Sequence, residues 1–442
     1  MNPITFQGGV HPPEYKELSE TKGIQKMPLP EKVIIPFSQH IGAPANPVIK
    51  KGDRVKTGQL IGEAGGFVSS NIHSSVTGEV EDIIDVLTPV GRFSKAAVIK
   101  VEEDEWVEGI LEKPEEFEGL SPEQMLDRIK QAGIVGMGGA TFPTHVKLKP
   151  PPDKKIDTLI INGAECEPYL TADHRLMLEY TDELIAGIKI LGKILQVENV
   201  FIGIEVNKED AIEILTRKLN NTSIKVVPLK VKYPQGAEKN LIQAILGREV
   251  PSGGLPLDVG VVVQNTGTAK AVYDAVCFKK PLIERVVTVS GDAITSPSNL
   301  LVRVGTPLSE LIKYCGGPKG EVKKVISGGP MMGISLPYIE NFSVTKGTSG
   351  VLLLSEIDEH EPGVCIRCAR CVDACPMRLL PEKITKLIEK GEFEQAEKYG
   401  ALDCVECGSC AYICPAKIPL VHLIRFGKSK IMALKKQRKG GK

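Results

Sequence analysis

Eight of the eleven cysteines fall into two copies of one spacing, C-x-x-C-x-x-C-x-x-x-C-P. The first copy is Cys365, Cys368, Cys371, Cys375 and Pro376; the second is Cys404, Cys407, Cys410, Cys414 and Pro415. Three thiolates two residues apart wrap one loop around a cubane, so that loop N–H groups can point at its sulfurs. The more distant fourth cysteine ties the two loops together, and the proline redirects the chain after it. This is the bacterial spacing for a pair of [4Fe–4S] clusters, in which the fourth cysteine of each run ligates the other cluster. It groups Cys365, Cys368, Cys371 and Cys414 on one cluster, and Cys404, Cys407, Cys410 and Cys375 on the other. A zinc ribbon would present paired C-x-x-C knuckles, and a disulfide framework belongs to small secreted chains. Neither matches a triple run closed by C-P and then repeated.

A chain of 442 residues has room for about three domains, each with its own core. Lysine plus arginine balance aspartate plus glutamate at 55 each, so net charge gives no argument for nucleic acid. Residues Met1 to Val10 lack the charged-then-apolar pattern of an export signal. Apolar runs such as Val259–Val263 and Val351–Leu354 are too short to span a bilayer. Cluster chemistry and the absent signal together place the protein in a reducing cytoplasm. Of the cysteines outside the runs, Cys277 and Cys315 read as packed core residues, and Cys166 belongs to a motif treated below.

The expected organisation is multidomain, α/β plus β. Residues 1–30, rich in proline and charge, read as an extended arm laid over another part of the molecule. Residues 31–105 show short β segments punctuated by glycine, around Val48–Gly62 and Ile72–Val80, and resemble the biotinyl/lipoyl barrel-sandwich hybrid. In that family a lysine at the hairpin tip carries a prosthetic group; here the position is Phe67, so the fold serves as a docking module without an attached arm. Residues 119–280 alternate helical and strand patterns, which predicts a Rossmann-like α/β domain with ligands beyond the carboxyl ends of its strands. Ser121 is the expected cap of a helix beginning at Pro122. Residues 284–356 return to β and resemble a β-grasp module of the soluble-ligand-binding type (SLBB). The cluster domain covers 360–420, and the helical spacing of Ile384, Leu387 and Ile388 between the cysteine runs points to an α-helical ferredoxin. Residues 421–442 form a basic tail, from Arg425 and Lys428 through Lys435, Lys436, Arg438 and Lys439 to Lys442, with interleaved apolar residues. Such an end suits anionic lipid or an acidic partner.

Clusters pass single electrons, whereas a nicotinamide accepts hydride, and a flavin normally couples the two. The glycine-dense stretch Gly136-Met137-Gly138-Gly139-Ala140-Thr141-Phe142-Pro143-Thr144 would let backbone N–H groups approach a phosphate or a flat ring. It does not carry the G-x-G-x-x-G fingerprint, and by spacing alone it is equally a structural turn.

This stretch resembles the G-R-G-G-A-G-F-P-T-G motif of the NADH-binding flavoprotein subunit of complex I. Asn162-Gly163-Ala164-Glu165-Cys166-Glu167-Pro168 is similar to that family's N-x-D-E-S-E-P. Tyr233-Pro234-Gln235-Gly236-Ala237-Glu238 is similar to Y-x-C-G-E-E, and Asn265-Thr266-Gly267-Thr268 to N-V-E-T. With the barrel-sandwich start, the two-cluster end and the opening His11-Pro12-Pro13-Glu14-Tyr15-Lys16, nearly the whole chain resembles the C subunits of Rnf complexes. These complexes are ion-translocating ferredoxin:NAD⁺ oxidoreductases.

The resemblance implies two [4Fe–4S] clusters, FMN and NAD(H) as substrate. It also implies integral membrane partners, indirect exchange with ferredoxin, and a peripheral place on the cytoplasmic side of the cell membrane. Gly136, Gly138, Gly139 and Gly236 would give backbone contacts to FMN. Lys147 would neutralise its phosphate or ribityl side, and Asn162, Glu165 and Cys166 would line the isoalloxazine. Asn265 and Thr268 would hold the phosphate, Phe142 would stack on the adenine, and Glu167 and Glu238 would lie near the nicotinamide nucleotide. The family's arginine is Met137 here, its aspartate Ala164, its serine Cys166, and the first glutamate of G-E-E is Ala237. These departures weaken the nucleotide site more than the flavin site. Two other readings stand beside this one: a corrin reductase with a similar flavin and two-cluster plan, and a non-enzymatic cluster conduit.

Overall fold

The strongest structural instruction in the middle of the chain is a set of short β-branched runs, and they assemble into a parallel sheet. In the computed structural model, which describes residues 2–89, 91–357 and 360–440, with side chains as far as 438, the strand order is Ile224–Leu229, Asn199–Glu205, Thr158–Gly163, Val261–Asn265. All neighbours are parallel. Met1 and Lys442 lie outside the described residues. Strand alternation sends Leu159, Ile161, Ile202, Ile204 and Val262 into one buried cluster, which includes the helices Pro122–Gln131, Thr181–Leu195 and Thr266–Phe278. Ile160, Val261 and Val263 face the other way, onto helix Glu238–Leu246.

Helix Pro122–Gln131 starts in a full capping box: Gln124 N–H donates to Ser121 Oγ at 3.2 Å, and Ser121 N–H donates to Gln124 Oε1 at 2.8 Å. Helices Thr181–Leu195 and Thr266–Phe278 touch through a glycine. A Cβ added at Gly187 would lie 1.8 Å from the carbonyl oxygen of Ala269, a distance no side chain can occupy.

The strand order carries a switch point. The first strand, Thr158–Gly163, is followed by two strands on one side, and the chain then crosses to add Val261–Asn265 on the other. The loops leaving these two strands diverge, opening a crevice at their carboxyl ends. Asn162 and Asn265 are register partners at its floor.

Three further units surround this domain. Residues 32–103 form the barrel-sandwich, with one sheet ordered Lys32–Pro36, Phe93–Glu103, Thr77–Leu87, Arg54–Val55 and a second built from Asn46–Pro47, Leu60–Glu63 and Ile72–His73. Val33, Ile35, Ile61, Ile72, Val80 and Ile99 fill its interior, while Phe67 stands 82% exposed between Glu63 and Ile72. The β-grasp sheet is ordered Ile24–Lys26, Ser298–Arg303, Glu284–Ser290, Gly350–Leu354, Lys324–Ser327, Ile334–Leu336. Helix Leu308–Tyr314 covers it through Leu308, Leu311 and Ile312. Its edge strand, Ile24–Lys26, comes from the N-terminal segment.

The cluster domain repeats its backbone as well as its cysteines. Arg367 and Glu406 are both left-handed two residues after the first cysteine of their runs, as are Arg378 and Lys417 three residues after the fourth. Ala369 and Gly408 occupy the third equivalent pair. Helices Pro381–Glu389 and Phe393–Lys398 lie between the runs.

The basic tail is helical from Leu420 to Gly440. Ile424 and Ile431 are buried against Ile384, Leu387 and Ile388. Lys428 reaches Glu406 at 2.7 Å and Lys435 reaches Glu397 at 2.5 Å, while Arg438 pairs with Glu394. The acidic partner that a basic amphipathic end invites is thus supplied within this chain. Spacing identified the amphipathic character but not what it lies on.

Candidate flavin and iron–sulfur site

The glycine loop 136–142 sits over the carboxyl end of strand Val261–Asn265. Gly136 N–H donates to the Phe142 carbonyl at 2.8 Å and closes the loop. Met137 N–H donates to Thr268 Oγ1, also at 2.8 Å. A Cβ at Gly138, where φ is +74°, would lie 2.9 Å from Asn265 Nδ2, so this position demands glycine on two counts. A Cβ at Gly139 would meet nothing within 4 Å, so that backbone faces open space. Asn265 caps helix Thr266–Phe278, its Oδ1 accepting from Gly267 N–H at 2.8 Å and Thr268 N–H at 3.4 Å. Its Nδ2 donates to Asp173 at 2.6 Å. Asn265 and Thr268, expected to hold a phosphate directly, therefore use these atoms to seat the loop. The backbone left open to an anion is that of the loop at Gly139.

Sequence reasoning missed Arg285. Residue 137, an arginine in the resembling family, is Met137 here, and the guanidinium of Arg285 from the β-grasp domain touches the Met137 thioether. Arg285 is buried and also donates to the Thr348 carbonyl at 3.2 Å. Burial lowers its pKa to about 10, opposed by the nearby Asp173. No local motif announces a cation delivered from another domain.

On the opposite wall, Asn162 Nδ2 donates to the Gly236 carbonyl at 2.8 Å, and Gly236 N–H donates to Cys166 Sγ at 3.3 Å. Asn162, Cys166 and Gly236 are thereby brought together. Burial pushes the Cys166 thiol up, so it stands as a neutral thiol. Glu165 is turned away from this wall: its carboxylate accepts from Asp173 N–H at 2.7 Å and His174 N–H at 3.1 Å, at the start of helix Ala172–Glu179. Burial raises its pKa and Lys16 opposes that rise. It caps a helix, where the sequence placed it against a flavin ring.

Glu167 departs further from expectation. Its carboxylate accepts from Met331 N–H at 3.0 Å and Met332 N–H at 2.9 Å, in a turn of the β-grasp domain. Gly329 makes room for it: a Cβ there would lie 2.3 Å from Glu167 Oε2. Glu167 ties domains together and is not free to meet a nucleotide. Glu238, at the start of its helix, pairs with Lys147 at 2.5 Å in a partly exposed position. Phe142 is half-buried.

The cluster loops adjoin this wall. Cys407 packs with Val10, Tyr233 and Ala374, and Cys166 and Met331 lie against the same group. Tyr233 donates its hydroxyl proton to the Cys407 carbonyl at 2.8 Å. Its position in the Y-x-C-G-E-E-like motif was the signal available for it. Cys375 raises the thiol pKa of both Cys404 and Cys410, and Cys414 raises that of Cys371, in each case behind the effect of burial. The two cysteine runs therefore face each other, with Cys375 beside Cys371 and Cys407 as well. Backbone N–H groups already aim at thiols: Leu379 at Cys375 Sγ and Glu406 at Cys404 Sγ, both 3.4 Å. Cys407 and Cys410 are buried and Cys368 is exposed. Among the described residues no three His, Cys, Asp or Glu side chains converge as they would on one metal ion. Cys365, Cys368, Cys371, Cys375, Cys404, Cys407, Cys410 and Cys414 are all free thiols, the donor type that iron–sulfur cubanes take.

A switch-point crevice with a glycine cradle, set against a two-run cysteine domain, defines the class of flavin-linked iron–sulfur electron-transfer proteins. Residues 4–105 match the RnfC barrel sandwich hybrid domain, 129–274 the Nuo51 FMN-binding domain, 286–335 the SLBB domain, and 357–415 the 4Fe-4S dicluster domain. The chain is 52% identical over 441 residues to the C subunit of a proton-translocating ferredoxin:NAD(+) oxidoreductase complex of Clostridium ljungdahlii, covering 98% of this chain and 96% of that one. It is 46% identical over 439 residues to the C subunit of a Na(+)-translocating ferredoxin:NAD(+) oxidoreductase complex of Acetobacterium woodii, covering 99% and 98%. A crystal structure of NAD+-reducing [NiFe]-hydrogenase in the air-oxidized state is similar at a TM-score of 0.47 and 21% identity, covering 63% of this chain and 55% of that one. The chain belongs to the family of Rnf-complex C subunits.

Proposed function

We propose that this chain is the component of an ion-translocating ferredoxin:NAD⁺ oxidoreductase complex that exchanges electrons with NAD(H), working on the cytoplasmic side of the membrane beside integral membrane partners. The observation that carries this reading is the direct junction between the two halves of the site: Tyr233, packed in the group that Cys166 of the crevice wall lies against, hydrogen-bonded to the Cys407 backbone. No helix among the described residues is long and apolar enough to cross a membrane, so ion movement falls to partner proteins of the complex.

Bound FMN supplies the exchange between single electrons and hydride, and the two [4Fe–4S] clusters supply single-electron transfer. The residues of this chain then position and insulate. Gly136, Gly138 and Gly139 would present backbone to the flavin, and Asn162, Gly236 and Cys166 would form the wall that faces it. Lys147 and Glu238 stand at the rim where a nucleotide would enter. An acid at the adenosine ribose accepts from a 2′-hydroxyl and repels a 2′-phosphate, which favours NAD over NADP. Cys404, Cys407, Cys410 and Cys375 would hold one cluster, with Cys407 in the group against which Cys166 lies, and Cys365, Cys368, Cys371 and Cys414 would hold the other.

Anaerobic mixing of the reconstituted protein with NADH tests the reading. Bleaching of the flavin band and a reduced-cluster EPR signal are the expected results; absence of both would refute it. Reduction of a corrin cofactor in place of NAD⁺-linked exchange would favour the corrin reductase reading, which none of the similarities above supports.

A further inference from the structure

The opening segment His11–Lys16 and the loop 164–170 behind the crevice are about 150 residues apart in sequence and are locked together. The Lys16 ammonium donates to the carbonyls of Glu165 at 2.9 Å, Glu167 at 3.1 Å and Leu170 at 2.6 Å. An ammonium has three donors, and all three are used on one loop. Lys16 is 4% exposed, and its place is set by these carbonyls. A second buried lysine, Lys208, takes the next carbonyl, that of Ala164, at 2.7 Å.

The rest of the segment grips the same loop. Tyr169 N–H donates to the Glu14 carbonyl at 2.8 Å, and Tyr15 stacks on Tyr169 with ring centroids 4.7 Å apart. The Ser19 and Thr171 hydroxyls lie 2.8 Å apart. The loop needs holding, because Glu165 and Tyr169 have φ of 46° and 67° without being glycine. Such backbone persists only where its surroundings over-determine it. Its carbonyls are drawn toward the two lysines, and the Cys166 side chain is left facing Gly236 on the crevice wall.

We propose that Lys16 is a positioning residue for the flavin site: the N-terminal arm clamps loop 164–170 in its strained form, and the wall formed by Asn162, Cys166 and Gly236 exists only while the clamp is closed. This rests on reading the crevice as the FMN site. Lys208 holds the Ala164 carbonyl, and the Glu165 and Glu167 carboxylates are fixed by Asp173, His174, Met331 and Met332 N–H groups. Lys16 gathers the carbonyls of Glu165, Glu167 and Leu170 on either side of Cys166, so its loss loosens the backbone of the stretch that carries Cys166.

The test uses the full chain with clusters reconstituted and FMN removed, then titrated back with FMN and followed by quenching of flavin fluorescence. Lys16→Met is expected to weaken FMN binding about tenfold or more, from the loss of three charge-assisted hydrogen bonds. It should also blur the resolved bands of bound flavin while leaving iron content and the reduced-cluster EPR signal unchanged. Tyr15→Ala, at a position 43% exposed, removes one grip without emptying the interior and is expected to weaken FMN binding by a smaller factor. A folded Lys16→Met with wild-type FMN affinity and spectrum overturns the proposal. So does a Lys16→Met that fails to fold alongside a Tyr15→Ala with unchanged FMN affinity, whereas weakened binding in Tyr15→Ala supports it. A wild-type chain that takes up no FMN overturns the flavin reading and this inference together; normal wild-type uptake with unaffected variants overturns this inference alone.

Discussion

The Tyr233 hydroxyl donates to the Cys407 carbonyl at 2.8 Å across 174 positions of sequence. The same hydroxyl stands 3.4 Å from Glu167 Oε1, and Glu167 holds the β-grasp turn at Met331 and Met332. The phenol thus joins the α/β domain to the cluster domain, and Glu167 beside it reaches the β-grasp domain.

Tyr233→Phe keeps the ring and deletes the donor, leaving a buried carbonyl unpaired. The expected cost is about 1–3 kcal/mol, read from urea unfolding. Electron exchange between flavin and cluster should slow in stopped-flow reduction by NADH, with cluster content retained. An unchanged rate would remove Tyr233 from the junction.

The proposed crossed ligation separates two cysteines that lie in equivalent places. Cys375→Ser is expected to remove the cluster held by Cys404, Cys407 and Cys410, and so to cut the crevice off from the other cluster. Cys414→Ser should remove that other cluster and leave NADH-driven reduction of the first intact. EPR of the two variants distinguishes them; identical spectra would contradict the grouping.

Glu238→Ala removes the acid of the matched motifs that lies at the open rim, and it releases Lys147 from its 2.5 Å pair. Loss of an acid and gain of a free cation both favour a 2′-phosphate. The ratio of kcat/KM for NADPH over NADH should rise roughly tenfold, equivalent to about 1.4 kcal/mol. An unchanged ratio would take Glu238 out of the ribose role.

Helix Leu420–Gly440 is part of the cluster domain's core, so its truncation would damage more than a docking surface. Ile424, 1% exposed, packs on Ile384 and Ile388. Ile424→Ala should cost about 2–4 kcal/mol of cluster-domain stability. The loss is read as a lower urea midpoint for bleaching of the cluster absorbance.

His73 is buried between the barrel-sandwich and its neighbours. Burial first, then the charge of Lys346, lowers its pKa from 6.5 to about 3. The unfolded chain takes up this proton near pH 6.5 while the folded chain stays neutral. Stability is therefore full above 6.5 and falls as pH drops toward 3, by about 1.4 kcal/mol per pH unit for this group. His73→Gln should flatten the acid limb of a stability-versus-pH curve measured by urea unfolding. A limb of unchanged slope would show that His73 protonates in the fold.

Much of the site was legible from local pattern. The candidate cluster cysteines declare themselves because a cubane takes thiolates at fixed short spacings, and the left-handed positions that shape each loop repeat at equal offsets. Gly138 was legible for the same reason, since a turn that excludes a Cβ leaves glycine in the sequence. Glu165 and Glu167 were harder. Their motif marked them as important, but a carboxylate that caps a helix and one that grips a neighbouring domain look alike in sequence.

The amino-acid order by itself determined the electron-transfer chemistry, the parallel sheet with its crevice, and the succession of folds along the chain, because spacing and alternation are short-range properties. Only the tertiary structure decided which side chains complete the crevice: Arg285 beside Met137, Tyr233 on Cys407, and Lys16 and Lys208 on loop 164–170. Their partners are mostly backbone carbonyls or residues of another domain. A carbonyl has the same chemistry at every position, so what it binds is settled by folding and leaves no mark in the sequence.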